Sequence, residues 1–221
     1  VSIVSGILPL LKGTLNAEKE GGHIWLEDRD TIIDTSLMLV IDRRLKNEFG
    51  YIKTLPRGGS DLTAILMAKY LNEKDVYLYK DTIGIYSCND DIIHNKETIS
   101  RLSYDQANTY FSYTGEVVQS TALEIAKQEK IKVHICNLNS RIETIIHNQD
   151  HPYCIYGIMN IENKIYLFGK TDEYTLTVIK DFLRTYRNIQ YNVRIGFIEL
   201  VVDKIFIDDI LIDLHKRFIE S

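Results

Sequence analysis

The chain has 221 residues, of which 45% are hydrophobic and 26% charged, a balance typical of one large globular domain or a domain with a smaller partner. Its formal net charge of -5 argues against a general nucleic-acid-binding protein. No apolar run is long enough to cross a bilayer, and no signal peptide is recognisable at the start. The three cysteines form no CxxC pair, so we expect free thiols and a cytoplasmic protein.

In chain order, the first part alternates helical and extended patterns. Apolar spacing predicts helices over 1–15, 41–49 and 61–71, and aromatic and β-branched residues predict strands over 23–26, 75–79 and 131–136. Alternation of this kind predicts an α/β fold in which helices cover a mostly parallel sheet.

Two capping boxes mark helix starts in this part of the chain. Ser103 is followed three residues later by Gln106, and Thr121 is followed at the same spacing by Glu124. In such a box the hydroxyl and the amide or carboxylate satisfy two backbone N–H groups reciprocally. We therefore predict helices that begin at both positions.

Residues 137–152 form a polar stretch that interrupts the alternation of helices and strands. Its two histidines, His147 and His151, have no supporting cluster of ligands, so we predict a solvated loop rather than a metal site. Beyond it the patterns predict a strand over 164–168, a helix over 173–186, a strand or hairpin over 189–202 and a helix over 207–219. That order fits a small α+β domain of ferredoxin-like type. We therefore expect one domain over 1–140 and a second over 151–221.

The sequence KTLPRGGSDLTAILMAKYL, residues 53–71, places a cation, two glycines and a carboxylate at the start of a predicted helix. Glycines let backbone N–H groups approach a ligand, and a helix N-terminus attracts anions. Arg57 can grip a carboxylate or phosphate with two hydrogen bonds, while Asp61 orients a donor, accepts a ligand ammonium or caps the helix. The alternative is a simple Gly-Gly turn with Ser60 as N-cap, and spacing alone leaves both interpretations open.

A second stretch, YKDTIGIYSCND at 79–90, directly follows a predicted strand. Its loop emerges at the C-terminal end of that strand, where open α/β sheets bind ligands. Asp81 and Gly84 are candidates to shape a nucleotide pocket that Tyr86 lines. An ordinary loop between a strand and a helix is the alternative.

These two stretches are followed by LSYDQANTYFSYTGEVVQSTALEIAKQEKIKVHICN, and the three together resemble aspartokinases of the amino acid kinase family. That family shows an Arg-Gly-Gly-Ser-Asp segment, a Thr-Asp-Val-x-Gly-Ile-Tyr loop and a Leu-Ser-Tyr-Asp-Glu helix in this order. The C-terminal sequence GFIELVVDKIFIDDILIDLHKRFIE resembles the closing half of an ACT domain, the small regulatory module of aspartokinases.

The resemblance implies ATP-dependent phosphorylation of the side-chain carboxylate of L-aspartate, with Mg²⁺, in lysine, threonine and methionine biosynthesis. It also implies a homodimer whose ACT-like end holds a feedback amino acid near Gly157 and the loop 169–173. No metal ligand is implied. The implied site residues are Asp61 and Ser60 for catalysis, Arg57 and Thr54 for the substrate, and Asp81, Gly84 and Tyr86 for the nucleotide. Lys80, in the same loop, is a further candidate to bind the nucleotide.

The chain departs from the family at positions that would face phosphate. The amino-terminal Lys-Phe-Gly-Gly-Thr-Ser segment is absent, which predicts that the N-terminal part of the kinase domain is missing. Asp91 and Glu116 stand where the family has an arginine and a lysine, while Lys80 replaces a threonine and restores positive charge. The alternative function is therefore a catalytically impaired homologue that acts as an amino-acid-binding regulatory or scaffold protein.

Overall fold

The computed structural model describes residues 59–88, 93, 96–186 and 189–220, without the Tyr70 side chain, and the backbone of five short strands before residue 55. The strands are β1 Ile3–Ser5, β2 Ala17–Glu20, β3 His23–Leu26, β4 Arg44–Lys46, β5 Ile52–Thr54, β6 Asp75–Tyr79, β7 Ile85–Tyr86, β8 Thr98–Ile99, β9 Arg101–Ser103, β10 Lys132–Cys136, β11 Glu143–His147, β12 Ile155–Ile161, β13 Lys164–Gly169, β14 Gln190–Arg194 and β15 Phe197–Val201. The helices are α1 Gly59–Leu71, α2 Tyr104–Thr114, α3 Ser120–Glu129, α4 Glu173–Leu183 and α5 Ile207–Phe218.

The chain divides into two compact units. The first contains Val1–Gly84 and Glu116–Asn148, and the second contains Ile85–Gly115 and Gln149–Ser221. The sequence-based division at 140–151 lies close to the last of the three points at which the chain passes between the units, but it assigned 85–115 to the first domain. Among the described helices, none is long and apolar enough to cross a membrane.

The first unit is built on a mostly parallel sheet. Within this unit β6 lies between β1 and β10 and runs parallel to both, and β11 pairs antiparallel with the outer side of β10. One face is apolar, because Val76 and Leu78 of β6 and Val133 and Ile135 of β10 are all fully buried. Helix α1 packs against α3 and β6, as expected for a parallel sheet covered by helices.

The second unit contains a four-stranded antiparallel sheet in the order β12-β13-β15-β14. The sequence β13-α4-β14-β15-α5 supplies five of the six elements of a ferredoxin-like domain. Strand β12 precedes them in the chain and takes the remaining edge position beside β13. The predicted fold class, an amino acid kinase-like α/β domain with an ACT-type α+β domain, is confirmed.

The sheet of the second unit is covered on both faces. On one face, aliphatic residues of all but the outer strand β14 share a buried core with α4 and α5, including Ile198, Ile179 and Leu211. On the other, Tyr110 of α2 meets Phe168 edge-on with ring centroids 4.8 Å apart. Gly157 permits this approach, since a Cβ there would lie 2.5 Å from the Tyr110 ring. This packing explains why 85–115 belongs to the second unit.

Several sequence-based expectations differ from the structure in the first unit. Residues Ile3–Ser5 and Arg44–Lys46 are strands, although both lie in segments predicted to be helical. Strand β1 pairs with the central strand β6, and β4 forms a hairpin with β5. Tertiary pairing therefore prevails over a helical spacing of apolar residues.

The second capping box was also wrong. Helix α3 begins at Ser120, so Thr121 lies inside the helix, and the N-cap Gln119 makes no side-chain hydrogen bond. By contrast, Ser103 forms the predicted box, in which its hydroxyl accepts from the Gln106 N–H and the Gln106 side chain accepts from the Ser103 N–H.

The polar stretch predicted as a linker contains regular structure. His147 ends strand β11, which pairs with β10, and His151 is buried against Tyr153 and Tyr156 in the second unit. Neither histidine is part of a metal cluster, since no group of three or more His, Cys, Asp or Glu side chains in the described part of the chain is arranged to hold an ion.

Candidate active site

The candidate site lies where α1 begins. The helix starts at Gly59, two residues earlier than predicted, so Ser60 and Asp61 belong to its first turn. A carboxylate in the first turn is favourable, because the helix N-terminus carries partial positive charge. Asp61 is 3% exposed and Ser60 is half-buried. Arg57 lies outside the described residues, and of Thr54 only the backbone in β5 is described.

A partly buried ion pair joins this helix start to the nucleotide loop predicted from the sequence. The Lys80 ammonium donates to both oxygens of the Asp61 carboxylate, at 2.7 and 2.9 Å. The Asp61 side chain is 4% exposed and that of Lys80 is 23% exposed. The structure therefore brings together two residues that lie nineteen positions apart and came from separate motifs.

The backbone around Lys80 is fixed by the neighbouring strand. Its N–H donates to the carbonyl oxygen of Cys136 over 2.8 Å, and its carbonyl accepts from the Asn137 side-chain amide over 3.0 Å. The same Asn137 nitrogen donates to the Asp81 carbonyl at 3.0 Å. These hydrogen bonds join the loops that follow the parallel strands β6 and β10, at the C-terminal ends of the two strands.

Asn137 is the residue of this site that sequence reasoning did not assign. Its own carbonyl oxygen Oδ1 accepts from the Asn139 N–H at 2.8 Å, which orients the amide nitrogen towards the neighbouring loop. The sequence does contain an indication of this role, because Asn137 directly follows a strand that was predicted to be buried. Residues at the C-terminal ends of parallel strands lie close to the loop after the neighbouring strand, where such sheets bind ligands.

The rest of the predicted nucleotide loop divides between the units. Asp81 is exposed, and the Thr82 hydroxyl and the backbone of Gly84 hydrogen-bond to each other. Gly84 has φ +146°, which favours glycine. Tyr86 belongs to the second unit, where its carbonyl accepts from the Tyr110 hydroxyl.

Beside the site, the polar face of the first unit's sheet carries a histidine between two carboxylates. His134 Nε2 lies 3.0 Å from Asp75 Oδ1, and its Nδ1 lies 3.1 Å from Glu143 Oε2. Its ring stacks on Tyr77 with centroids 4.3 Å apart. Burial and the hydrogen bond to Glu143 raise the pKa of the Cys136 thiol to about 12. These contacts link three strands and keep the Cys136 thiol protonated.

Two acidic replacements were predicted to face phosphate. Glu116 is exposed in the first unit, whereas Asp91 lies outside the described residues. Lys80 is the cation that the described contacts place against Asp61.

The sequence profile of the amino acid kinase family matches residues 15–137, more than half of the chain. This chain belongs to the amino acid kinase family. The matched segment contains α1, β6 and β10, the elements that position Asp61, Lys80 and Asn137.

The curated relatives of this amino acid kinase include aspartokinases. The Thermus thermophilus aspartokinase is 34% identical over 86 residues, which is 39% of this chain and 21% of the relative. Aspartokinase 1, chloroplastic, of Arabidopsis thaliana is 31% identical over 88 residues, or 40% and 16% respectively. The aligned segment thus spans about a fifth of the length of the relatives it matches.

Solved structures extend the likeness beyond this segment. E. coli aspartokinase III, in complex with lysine and aspartate, matches 92% of this chain and 49% of its own with a TM-score of 0.50 and 16% identity. Clostridium acetobutylicum aspartate kinase matches 81% and 45% with the same TM-score and 23% identity. The chain is therefore an aspartokinase-like amino acid kinase, with the aspartokinase fold.

Proposed function

We propose that this amino acid kinase transfers the terminal phosphoryl group of ATP to the side-chain carboxylate of L-aspartate. The observation that carries the proposal is the contact between Lys80 and Asp61, because it joins the substrate segment and the nucleotide loop in one site. Similarity to aspartokinases supports L-aspartate as the acceptor. In the reaction the terminal phosphoanhydride bond breaks, an acyl phosphate forms and ADP leaves.

On the substrate side, Arg57 and Thr54 bind the carboxylates of L-aspartate. Ser60 and Asp61 stand in the first turn of α1, where backbone N–H groups and the helix dipole favour an anion. Asp61 organises the reacting groups, and its carboxylate is held in one orientation by both contacts to Lys80. Such positioning is the main contribution that a protein makes to phosphoryl transfer.

On the nucleotide side, ATP is held by Lys80, Asp81 and Gly84. The residues present fit a magnesium nucleotide, since an ammonium group and the exposed Asp81 carboxylate follow the same strand end. Bound Mg²⁺ neutralises phosphate charge and prefers carboxylate oxygens. The protein holds the phosphates with Lys80 and keeps the loop in place through Asn137.

The C-terminal part is proposed to be an ACT-type regulatory domain over 151–221, following a kinase domain over 1–140. Strand β14 lies at the edge of its sheet and all five of its residues are exposed, which suits edge-to-edge pairing in a homodimer. A feedback amino acid would sit at the loop between β13 and α4. This cytoplasmic enzyme would act in lysine, threonine and methionine biosynthesis.

The test is calorimetric binding of Mg-ATP to the 221-residue chain, with and without L-aspartate, followed by an assay for acyl phosphate. We expect nucleotide binding that L-aspartate strengthens, and turnover that Asp61→Asn abolishes while the exposed Glu124→Gln does not. A folded chain that binds L-aspartate but no nucleotide would contradict the kinase proposal. That result would instead favour an amino-acid-binding regulatory protein.

A further inference from the structure

Lys80 contacts the Asp61 carboxylate and also belongs to the proposed nucleotide loop. Two negatively charged groups, this carboxylate and the nucleotide phosphates, can therefore bind its ammonium group. Its ammonium group has three N–H donors, and the two contacts to Asp61 engage two of them. The side chain is 23% exposed, so solvent reaches part of it. A ligand oxygen can therefore meet the remaining donor without separating Lys80 from Asp61.

We infer that Lys80 bridges the Asp61 carboxylate and a phosphate oxygen of the nucleotide, acting as a positioning residue for the first and a direct ligand of the second. This inference rests on the proposed function and deepens it. In this role Lys80 supplies positive charge that is lost where Glu116 and Asp91 replace basic residues of the family. It also makes nucleotide binding and the orientation of Asp61 depend on one side chain.

Two features of the geometry suit a bridging role for Lys80. The strand end holds Lys80 at both its backbone N–H and its carbonyl, so the side chain starts from a fixed point. Asp61 is almost completely buried, whereas its partner is not. Partial exposure lowers the desolvation cost of Lys80 in either role, and a phosphate ligand requires it.

The decisive comparison uses two variants that both lack the carboxylate. Asp61→Asn keeps the Lys80 ammonium, and the double variant Asp61→Asn with Lys80→Met removes it as well. Affinity for Mg-ADP is measured by calorimetry, so that no turnover is needed, and the thermal midpoint of each variant establishes folding. If the double variant does not fold, Lys80→Gln with Asp61→Asn provides a neutral pair that can hydrogen-bond.

We expect Asp61→Asn to bind Mg-ADP at least as tightly as the unmodified chain, since a competing carboxylate is gone. The double variant should bind about tenfold more weakly than Asp61→Asn, the loss typical of one charge-assisted hydrogen bond. Equal affinities for these two variants would overturn the inference and leave Lys80 as a counter-charge alone. Failure of the unmodified chain to bind Mg-ADP would instead refute the proposed function, and the inference with it.

The exposed Lys69 provides the matched control. It also makes a 2.7 Å ion pair, with Glu129, and it lies in α1 as Asp61 does. Lys69→Met should leave the affinity for Mg-ADP unchanged. A loss as large as that of the double variant would show a general effect of net charge, and it would overturn the assignment to Lys80.

Discussion

Two lysines of the first unit make ion pairs of the same length in different surroundings. Lys80 lies 2.7 Å from the Asp61 carboxylate, with side chains 23% and 4% exposed. Lys69 lies 2.7 Å from Glu129, with side chains 50% and 32% exposed. Coulomb attraction and the cost of removing a partner both grow as water is excluded, so the two pairs should differ in their effect on stability.

We predict that Lys80→Met lowers the free energy of unfolding by about 3–5 kcal/mol, because the buried Asp61 carboxylate loses both hydrogen bonds from the Lys80 ammonium. Lys69→Met should change stability little, as is usual for exposed pairs. Urea titrations monitored by circular dichroism provide the measurement. Adding Asp61→Asn to Lys80→Met should recover most of the loss, and a double variant as unstable as Lys80→Met alone would contradict this explanation.

His151 should make the protein sensitive to acid. It is 6% exposed, and burial together with nearby Arg101 and Lys170 lowers its pKa from 6.5 to about 4. The unfolded chain therefore takes up a proton below about pH 6.5 that the folded chain refuses until about pH 4. Stability is lost as the pH falls through this window, by up to about 3 kcal/mol.

The variant His151→Asn isolates this effect, since an amide oxygen can replace the ring nitrogen that accepts from the Tyr153 N–H. Urea midpoints of both proteins should be compared at pH 7 and pH 4.5. We expect the variant to lose less stability on acidification than the unmodified chain. Parallel losses in the two proteins would assign the acid sensitivity to carboxylates instead of His151.

At the scale of elements, two similar sequences cap their helices differently. The Ser103 hydroxyl accepts from the Gln106 N–H at 3.2 Å, and Gln106 Oε1 also accepts from the N–H of His151 at 2.8 Å. Thr121 has the same spacing to Glu124, but it lies within α3 and caps nothing. Both segments thus have a hydroxyl residue followed three positions later by Gln or Glu. They differ in where the helix begins, which is directly after Ser103 but before Thr121.

Ser103→Ala should lower the free energy of unfolding by about 1 kcal/mol, because an N–H group at the start of α2 loses its acceptor. Thr121→Ala is the matched control and should change it by less than about 0.5 kcal/mol. Thermal and urea unfolding of the two variants measure the difference. Equal effects would indicate that the hydroxyl of Ser103 does not act as a cap.

The elements that were predicted well are those whose periodic pattern is visible within one short stretch of sequence. Strand β13 and helices α4 and α5 have strong period-two or helical patterns, and their bounds match to within a few residues. Strand β11 was missed because it lies in a polar stretch and only Thr144 and Ile146 are buried. Strand β1 was mistaken for helix, since its pairing with β6 involves residues more than seventy positions away.

The same distinction applies to the site. Sequence motifs predicted that Asp61 and Lys80 belong to functional segments, because each follows a recognisable pattern. Their contact was not predicted, since it depends on how α1 and β6 pack in the folded unit. Asn137 was missed for the same reason, as its role arises from the register between β6 and β10.

At the scale of the whole molecule, free cysteines report on both units. Cys136 ends β10 in the first unit, is 9% exposed and has a pKa raised to about 12 by burial and by Glu143. Cys154 in the second unit is half-buried. At pH 8 the Cys136 thiol is almost entirely protonated, so its alkylation requires an opening of the first unit, whereas Cys154 should react faster.

Nucleotide binding should therefore slow the alkylation of Cys136 and leave that of Cys154 unchanged. The carbonyl of Cys136 accepts from the Lys80 N–H, so opening this strand end disrupts the proposed nucleotide site. Mg-ADP at about one hundred times its dissociation constant should slow Cys136 by about a hundredfold, because opening must await release of the ligand. Iodoacetamide labelling followed by mass spectrometry of peptides gives both rates in one experiment. Protection of Cys154 alone would place the nucleotide in the second unit, against the proposed role of Lys80. Protection of Cys136 that falls to about tenfold in the double variant Asp61→Asn with Lys80→Met, at the same concentration of Mg-ADP, would support that role.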